Sequence, residues 1–271
     1  LSVIDSINYW HWDFGDGDSS FFQHPTHLYI DTGFYTVTLI VSSTIGCPDT
    51  VSHQVYVSPA PVALFSNDTA CLGDNTIFED LSTSASAIDS IVQWHWEFGD
   101  GDTSNVPDPL HIYSDTGWYN VCLTVTSTIG CNNIICHPVY VSPLPVPGFT
   151  APPVCLGETT VFSDTSINYS TVDTITSWYW DFDDNNVTSS LQHPTHIFSD
   201  TGWHNVCLTV TSTLGCDSTV CNQVYVSPYP EAGFTAPPVC QNDSTVFTDT
   251  SYTLSVIDSI NYWHWDFGDG D

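Results

Sequence analysis

The residues of this chain that could do chemistry are cysteines, histidines and carboxylates, and each class recurs at fixed spacing. The 271 residues include ten cysteines, eleven histidines and 31 aspartates and glutamates, with no lysine and no arginine. Ten cysteines in a repetitive acidic chain point to disulfides, which persist outside the reducing cytosol. Cys122 and Cys136 bracket the turn Thr128-Ile129-Gly130, and Cys207 and Cys221 bracket its repeat. A hairpin centred on Ile129 sets Cys122 opposite Cys136, and Cys207 opposite Cys221. The matching positions earlier in the chain are Thr38 and Ser52, so both cysteines are missing together, as expected of bonded partners. A bridge around so short a loop contributes ~3 kcal/mol at best.

The carboxylates cluster at tight turns. Asp13, Asp16 and Asp18 crowd one, and Glu97, Asp100 and Asp102 crowd the next. Calcium takes roughly six to eight oxygen ligands, which makes Asp16, Asp18, Asp100 and Asp102 candidate calcium ligands. The competing role for the same side chains is to accept hydrogen bonds from turn amides. Paired carboxylates also serve glycoside hydrolysis, but catalytic sites are rarely copied into every repeat. No nucleophile elbow, phosphate-binding loop or HExxH motif occurs, so no enzyme is expected and calcium is the one candidate cofactor. Histidines recur at His11, His95 and His264, and again at His27, His111 and His196. One per strand position reads as structural or surface polarity, because zinc needs ligands that converge. Sequons mark Asn67, Asn168, Asn186 and Asn242 as candidate glycosylation sites, and triplets such as Asp89-Ser90-Ile91 and Asp173-Thr174-Ile175 resemble a bacterial O-glycosylation signal.

The elements that must position these residues come in repeats. Trp12, Trp96, Trp180 and Trp265 follow one another at steps of 84, 84 and 85, and VYVSP closes units at Pro59, Pro143 and Pro228. Leu1–Asp18 and Leu254–Asp271 are the same eighteen residues, 253 apart. The chain therefore reads as the back of one unit (1–59), two complete units (60–143 and 144–228) and the front of another (229–271), cut from a longer array. In Gln93–Phe98 the residues Trp94, Trp96 and Phe98 share one face of an alternating strand. Trp10, Trp12 and Phe14, then Trp178, Trp180 and Phe182, repeat that core face. Short strands separated by turn signals predict a β-sandwich.

Composition narrows the function. The chain is 11% charged, all of it acidic, yet 41% hydrophobic and 14% aromatic, so it folds rather than remaining a disordered acidic tail. Nucleic acid is excluded as a partner, since nothing neutralises phosphate. No apolar run approaches the ~20 residues of a membrane span. Trypsin-like proteases find no site.

The run WHWEFGDGD at Trp94–Asp102, LHIY at Leu110–Tyr113 and TGWYNVCLTV at Thr116–Val125 resemble the PKD (polycystic kidney disease) domain. Trp10–Gly17 and Trp263–Gly270 match its WDFGDG hallmark, while Trp178–Asn186 reads WYWDFDDNN and lacks the glycines. The resemblance implies an all-β chain of tandem immunoglobulin-like (PKD-type) sandwiches in a linear rod. In such a unit Cys71, Cys155 and Cys240 lie at one pole and Cys47, Cys131 and Cys216 at the other. A ten-residue strand spans ~33 Å, too far for a disulfide within one unit. Facing poles of consecutive units imply Cys71 with Cys216, Cys155 with the next copy's Cys47, and Cys240 with the next copy's Cys131. The alternative leaves these six free or linking neighbouring rods. The expected function is structural: a segment of an extracellular filament or long cell-surface stalk, with copies of itself as partners. The alternatives are an adhesin or glycan-binding repeat, whose exposed Tyr9 or Tyr179 would contact polysaccharide, and a spacer in a secreted hydrolase.

Overall fold

The structure, a computed structural model, describes residues 5–268. The outer residues of the duplicated stretch, 1–4 and 269–271, lie outside the described residues. All regular structure among the described residues is β. Packing divides the chain into two compact units, one of residues 1–68, 75–112 and 118–140, the other of residues 69–74, 113–117 and 141–271.

Each unit holds the same sheet design. In the first, Ile7–Asp13 sits between Ser19–Ser20 and Gly33–Ser43, and Pro48–Val57 closes the sheet. The next copy pairs Ile91–Glu97 with Gly117–Ser127 and Thr103–Ser104, and packs it against a three-stranded sheet of Leu110–Ile112, Asn75–Asp80 and Phe65–Asn67. Phe78 of the small sheet lies 5.5 Å from Trp96 of the large one, centroid to centroid. In the second unit Ile175–Asp181, Gly202–Ser212 and Asp217–Ser227 form the large sheet, with Val154–Cys155 added in parallel at its edge. Its core gathers Phe149, Phe162, Trp180, Phe182, Leu208 and Val224. Apolar burial of large aromatics of this kind is the main favourable contribution to folding such a sandwich.

The hairpin register is as the turn chemistry dictates. Cys207 faces Cys221, and Thr38 faces Ser52. Gly130 closes its turn at φ 95°, donating to the Ser127 carbonyl at 2.9 Å. Of the aromatic triplets, Trp96, Phe98, Trp180 and Phe182 are fully enclosed, whereas Trp94 and Trp178 are only half-buried. The reason is chemical: each of these indoles donates to a carboxylate at the sandwich margin, Trp94 Nε1 to Asp80 at 2.6 Å and Trp178 Nε1 to Asp164 at 2.8 Å. The first tryptophan of each pair is thus half-buried at the margin, and Trp178 packs against the core from there. In the first repeat Phe14 is buried while Trp10 and Trp12 are partly covered.

Candidate functional site: the aspartate turn and the serine clamp

The turn after each Trp-x-Trp strand is built by its carboxylates. Asp13 Oδ1 accepts from the Gly15 amide at 3.0 Å, and Asp16 Oδ1 accepts from Asp18 at 3.1 Å. Asp100 takes the Asp102 amide at 3.0 Å in the same way. Glycine is required at position 15, where φ is +84° and a Cβ would stand 2.7 Å from the Thr36 carbonyl oxygen.

The second oxygen of each turn aspartate faces a histidine. His27 Nε2 lies 2.6 Å from Asp16 Oδ2, His111 Nε2 lies 2.6 Å from Asp100 Oδ2, and His196 Nε2 lies 2.8 Å from Asp184 Oδ2. Each imidazole also stacks flat on the core phenylalanine before the turn, with centroids 4.1, 4.1 and 4.4 Å apart at Phe14, Phe98 and Phe182. The His27 hydrogen bond holds Asp16 below the usual carboxylate range. At Asp100 burial pushes upward, and the His111 and Asp102 hydrogen bonds outweigh it. Of the histidines read from sequence as structural or surface polar, His27, His111 and His196 are structural: they fasten the turns. The signal was their constant offset from the turn, fifteen or sixteen residues after each tryptophan.

The third repeat keeps this arrangement without glycine. Asp183, Asn185 and Asn186 adopt positive φ of 54°, 50° and 59°, a conformation these short polar residues tolerate. The Phe182 amide donates to the Val187 carbonyl five residues on, where Phe98 donates to Asp102 four residues on, so Val187 takes the place of Asp102 and the one-residue insertion lies in the turn itself.

As a metal site the turn offers one ligand atom each from Asp16, Asp18 and His27, or from Asp100, Asp102 and His111, all within 4.8 Å of one another. Both oxygens of Asp16 and of Asp100 already accept hydrogen bonds, and the sets mix imidazole with carboxylate. That fits calcium, an all-oxygen ion, poorly. In the third repeat Val187, which offers no side-chain oxygen, takes the place of Asp102.

A second carboxylate works between repeats. Asp173 is buried; its Oδ2 accepts from Ser142 Oγ at 2.6 Å, and its Oδ1 accepts from Thr213 Oγ1 at 2.6 Å and the Leu214 amide at 3.0 Å. Asp89 does the same with Ser58, Thr128 and Ile129 at 2.7, 2.6 and 3.1 Å. Burial pushes Asp173 up, but these donors overcome it and bring it from 3.8 to about 2. The serine that ends one repeat is thus tied to the hairpin tip of the next. These aspartates head the Asp-Ser/Thr-aliphatic triplets, whose hydroxyl residues Ser90 and Thr174 are exposed.

The cysteines fall into two groups. Cys122 is bonded to Cys136, Cys207 to Cys221, and Cys71 to Cys216. The last bond spans 145 residues and joins two repeats within the second compact unit. Where the first repeat lacks its hairpin bridge, Thr38 Oγ1 and Ser52 Oγ hydrogen-bond at 2.9 Å. Cys47, Cys131, Cys155 and Cys240 are free thiols. Of the sequon residues, Asn67, Asn186 and Asn242 are exposed. Asn168 is a correction, because its Nδ2, the atom a glycan would take, is buried.

A family model described as PKD domain matches residues 3–59, 57–143 and 140–228. This chain belongs to the PKD domain family. Its PKD repeats are 36% identical over 77 residues to Collagenase ColA of Clostridium perfringens, an alignment covering 28% of this chain and 7% of that protein. They are 45% identical over 58 residues to a microbial collagenase of Vibrio alginolyticus, covering 21% of this chain and 7% of the relative. The chain thus matches a small part of each curated relative. Among solved structures, the PKD1 domain of the Vibrio cholerae metalloprotease PrtV is 31% identical, with a TM-score of 0.28, covering 31% of this chain and 98% of that one.

Proposed function

We propose that this tandem PKD array is a structural segment of an extracellular filament or long cell-surface stalk, made of successive copies of itself and without catalysis of its own. The observation that carries the reading is the fastening of consecutive repeats. A disulfide (Cys71–Cys216) and buried serine–aspartate clamps (Ser58–Asp89, Ser142–Asp173) occur where a passive spacer needs only a flexible linker. Disulfides inside and between repeats also suit an oxidising compartment. Complete sandwiches 60–143 and 144–228 would stack in sequence, each touching its neighbours. Electron microscopy of native material tests the reading: filaments with a three-repeat axial period support it, and isolated particles refute it.

A second reading, glycan binding, rests on tryptophans that sequence analysis passed over. Trp118 and Trp203 are exposed at equivalent positions, each packed on a tyrosine, Tyr140 and Tyr225, at 5.1 and 5.0 Å. Flat exposed aromatics are the surfaces on which sugar rings stack. Retention of the chain on an insoluble polysaccharide, lost in W118A/W203A, supports it, and equal retention refutes it.

A further inference from the structure

We infer that the Cys71–Cys216 disulfide is a tension tether: a pull along the chain passes from one sulfur to the other, and residues 72–215 carry none of it. The inference rests on the filament or stalk reading, in which tension is what the array meets, and assigns the path that the tension takes.

The path follows from where the two cysteines sit. Cys71 lies near the start of the repeat 60–143, and Cys216 lies near the end of the repeat 144–228. Their Cα atoms are 5.7 Å apart, although 145 residues separate them along the chain. A pull on the backbone before Cys71 and after Cys216 therefore meets a covalent bridge at once. Only residues 60–71 and 216–228 of the two repeats stay in its path. A disulfide within one domain acts mainly by restricting the unfolded chain. Cys122–Cys136 and Cys207–Cys221, each spanning 14 residues, are of that kind. Cys71–Cys216 instead closes a loop that holds nearly all of two sandwiches.

Inside the loop lies what tension would otherwise pull apart. The strands Ile91–Glu97 and Ile175–Asp181 are there, with the enclosed Trp96 and Trp180. So are the small-sheet residues Phe78 and Phe162, and the clamp of Ser142, Asp173 and Thr213. Non-covalent packing has a short reach, since a gap of about 1 Å already forfeits up to half of a dispersion contact. A repeat that had to stretch before it resisted would lose its core first. The sulfur bridge leaves no such slack.

Both ends of the tether are pinned. Cys71 stands opposite Ser142 in a parallel pairing, and the next amide, Leu72, donates to the Ser142 carbonyl at 2.9 Å. The Cys216 carbonyl accepts from the Ser212 amide at 2.8 Å, and the Cys216 amide donates to Ser212 Oγ at 3.2 Å. Beyond Cys216 the path runs along Asp217–Ser227, a strand already extended at roughly 3.3 Å per residue. A strand so extended has almost no length left to release, and Cys207–Cys221 fastens it to its neighbour Gly202–Ser212. The tether is also the sheltered bond. Cys71 and Cys216 are 7% and 1% exposed, whereas Cys136 and Cys221 of the hairpin bridges are exposed. Thiol–disulfide exchange needs access to a sulfur, so the bond in the path of tension is the one best closed to reductants.

Pulling single molecules tests the inference. The folded full chain, with Cys47, Cys131, Cys155 and Cys240 capped by iodoacetamide, is held through peptide tags between DNA handles and stretched in optical tweezers. At ~3.5 Å per residue, the fully stretched wild type should be about 400 Å shorter than C71S/C216S, in which the hairpin bridges still hide their own loops. The variant should show opening steps for the sandwiches 60–143 and 144–228 that the wild type lacks. Complete reduction of the folded wild type with dithiothreitol should lengthen it by about 500 Å, which keeps the test independent of how well the variant folds. Equal stretched lengths, the same opening steps in both chains, or an unreduced peptide map joining Cys71 to another cysteine would overturn the tether. Tethered chains without native filaments would overturn the filament reading alone. Native filaments whose chains release residues 72–215 under tension would overturn the tether alone.

Discussion

Protonating one buried carboxylate should loosen the tie between two repeats. Asp173 is held at about 2 rather than 3.8, so the folded state favours its charged form more than the unfolded state does. A depressed carboxylate adds stability above its unfolded value and loses it as pH falls through the folded value. At roughly 1.4 kcal/mol per pH unit, the clamp contributes about 2 kcal/mol, present in full above about pH 5 and mostly gone near pH 2. Wild-type stability against pH cannot isolate this, because acid also discharges 31 carboxylates and relieves their mutual repulsion. The difference between wild type and Asp173→Asn can. The amide keeps the shape, and Ser142 Oγ can donate to the Pro143 carbonyl, already 3.3 Å away. Urea unfolding followed by tryptophan fluorescence should show D173N weaker by about 2 kcal/mol at pH 7 and nearly equal to wild type at pH 2. An equal deficit at both pH values would mean that the clamp acts by shape, and the electrostatic reasoning would be refuted.

Further outcomes follow from the same geometry. Trp180→Ala, at a fully enclosed site, should cost about 3–5 kcal/mol in chemical denaturation, and Trp178→Phe about 1 kcal/mol through its lost bond to Asp164. Gly99→Ala places a Cβ 3.0 Å from the Asn120 backbone at φ +86°; a melting temperature equal to wild type would contradict the strain assigned there. Thr38→Cys with Ser52→Cys occupies facing positions and should oxidise to a third hairpin bridge, seen as two fewer titratable thiols. If hydrogen bonds rather than calcium complete the aspartate turns, thermal melts in calcium and in chelator should coincide; a chelator-dependent fall would assign Asp16, Asp18, Asp100 and Asp102 to the ion.

Much of the fold was legible because repetition prints the same signal several times. Alternation in Gln93–Phe98 and the Ile129 turn gave strands and register, since a period of two and a left-handed glycine are local properties. What stayed hidden was which partner each polar side chain finds across the sandwich. Asp16 with Asp18 looks like a cation site until His27 arrives from eleven residues downstream. Asp173 looks like the head of a surface motif until Ser142 and Thr213 close on it from 31 and 40 residues away. Half-burial of Trp94 and Trp178 was hidden for the same reason, as Asp80 and Asp164 lie on the other sheet.

Absence of basic side chains and abundance of short polar fastenings are two sides of one constraint. A chain with no lysine or arginine cannot balance its carboxylates with conventional salt bridges, so each recurrent aspartate near the core needs neutral donors: amides at the turn, hydroxyls at the clamp, an indole at the margin, an imidazole on the phenylalanine. Hydrogen bonds to a charged group contribute about 1.5–3 kcal/mol each. Unlike exposed ion pairs, partly buried ones are little screened by salt. An array held in this way keeps its junctions over a wide range of ionic strength and weakens chiefly in strong acid, where Asp89 and Asp173, both near 2, protonate. That behaviour follows from neutral donors taking the place of opposite charges. It also sets a direct comparison: joints between repeats should survive molar salt at pH 7 and loosen at low salt near pH 2, the reverse of what a salt-bridged assembly would do.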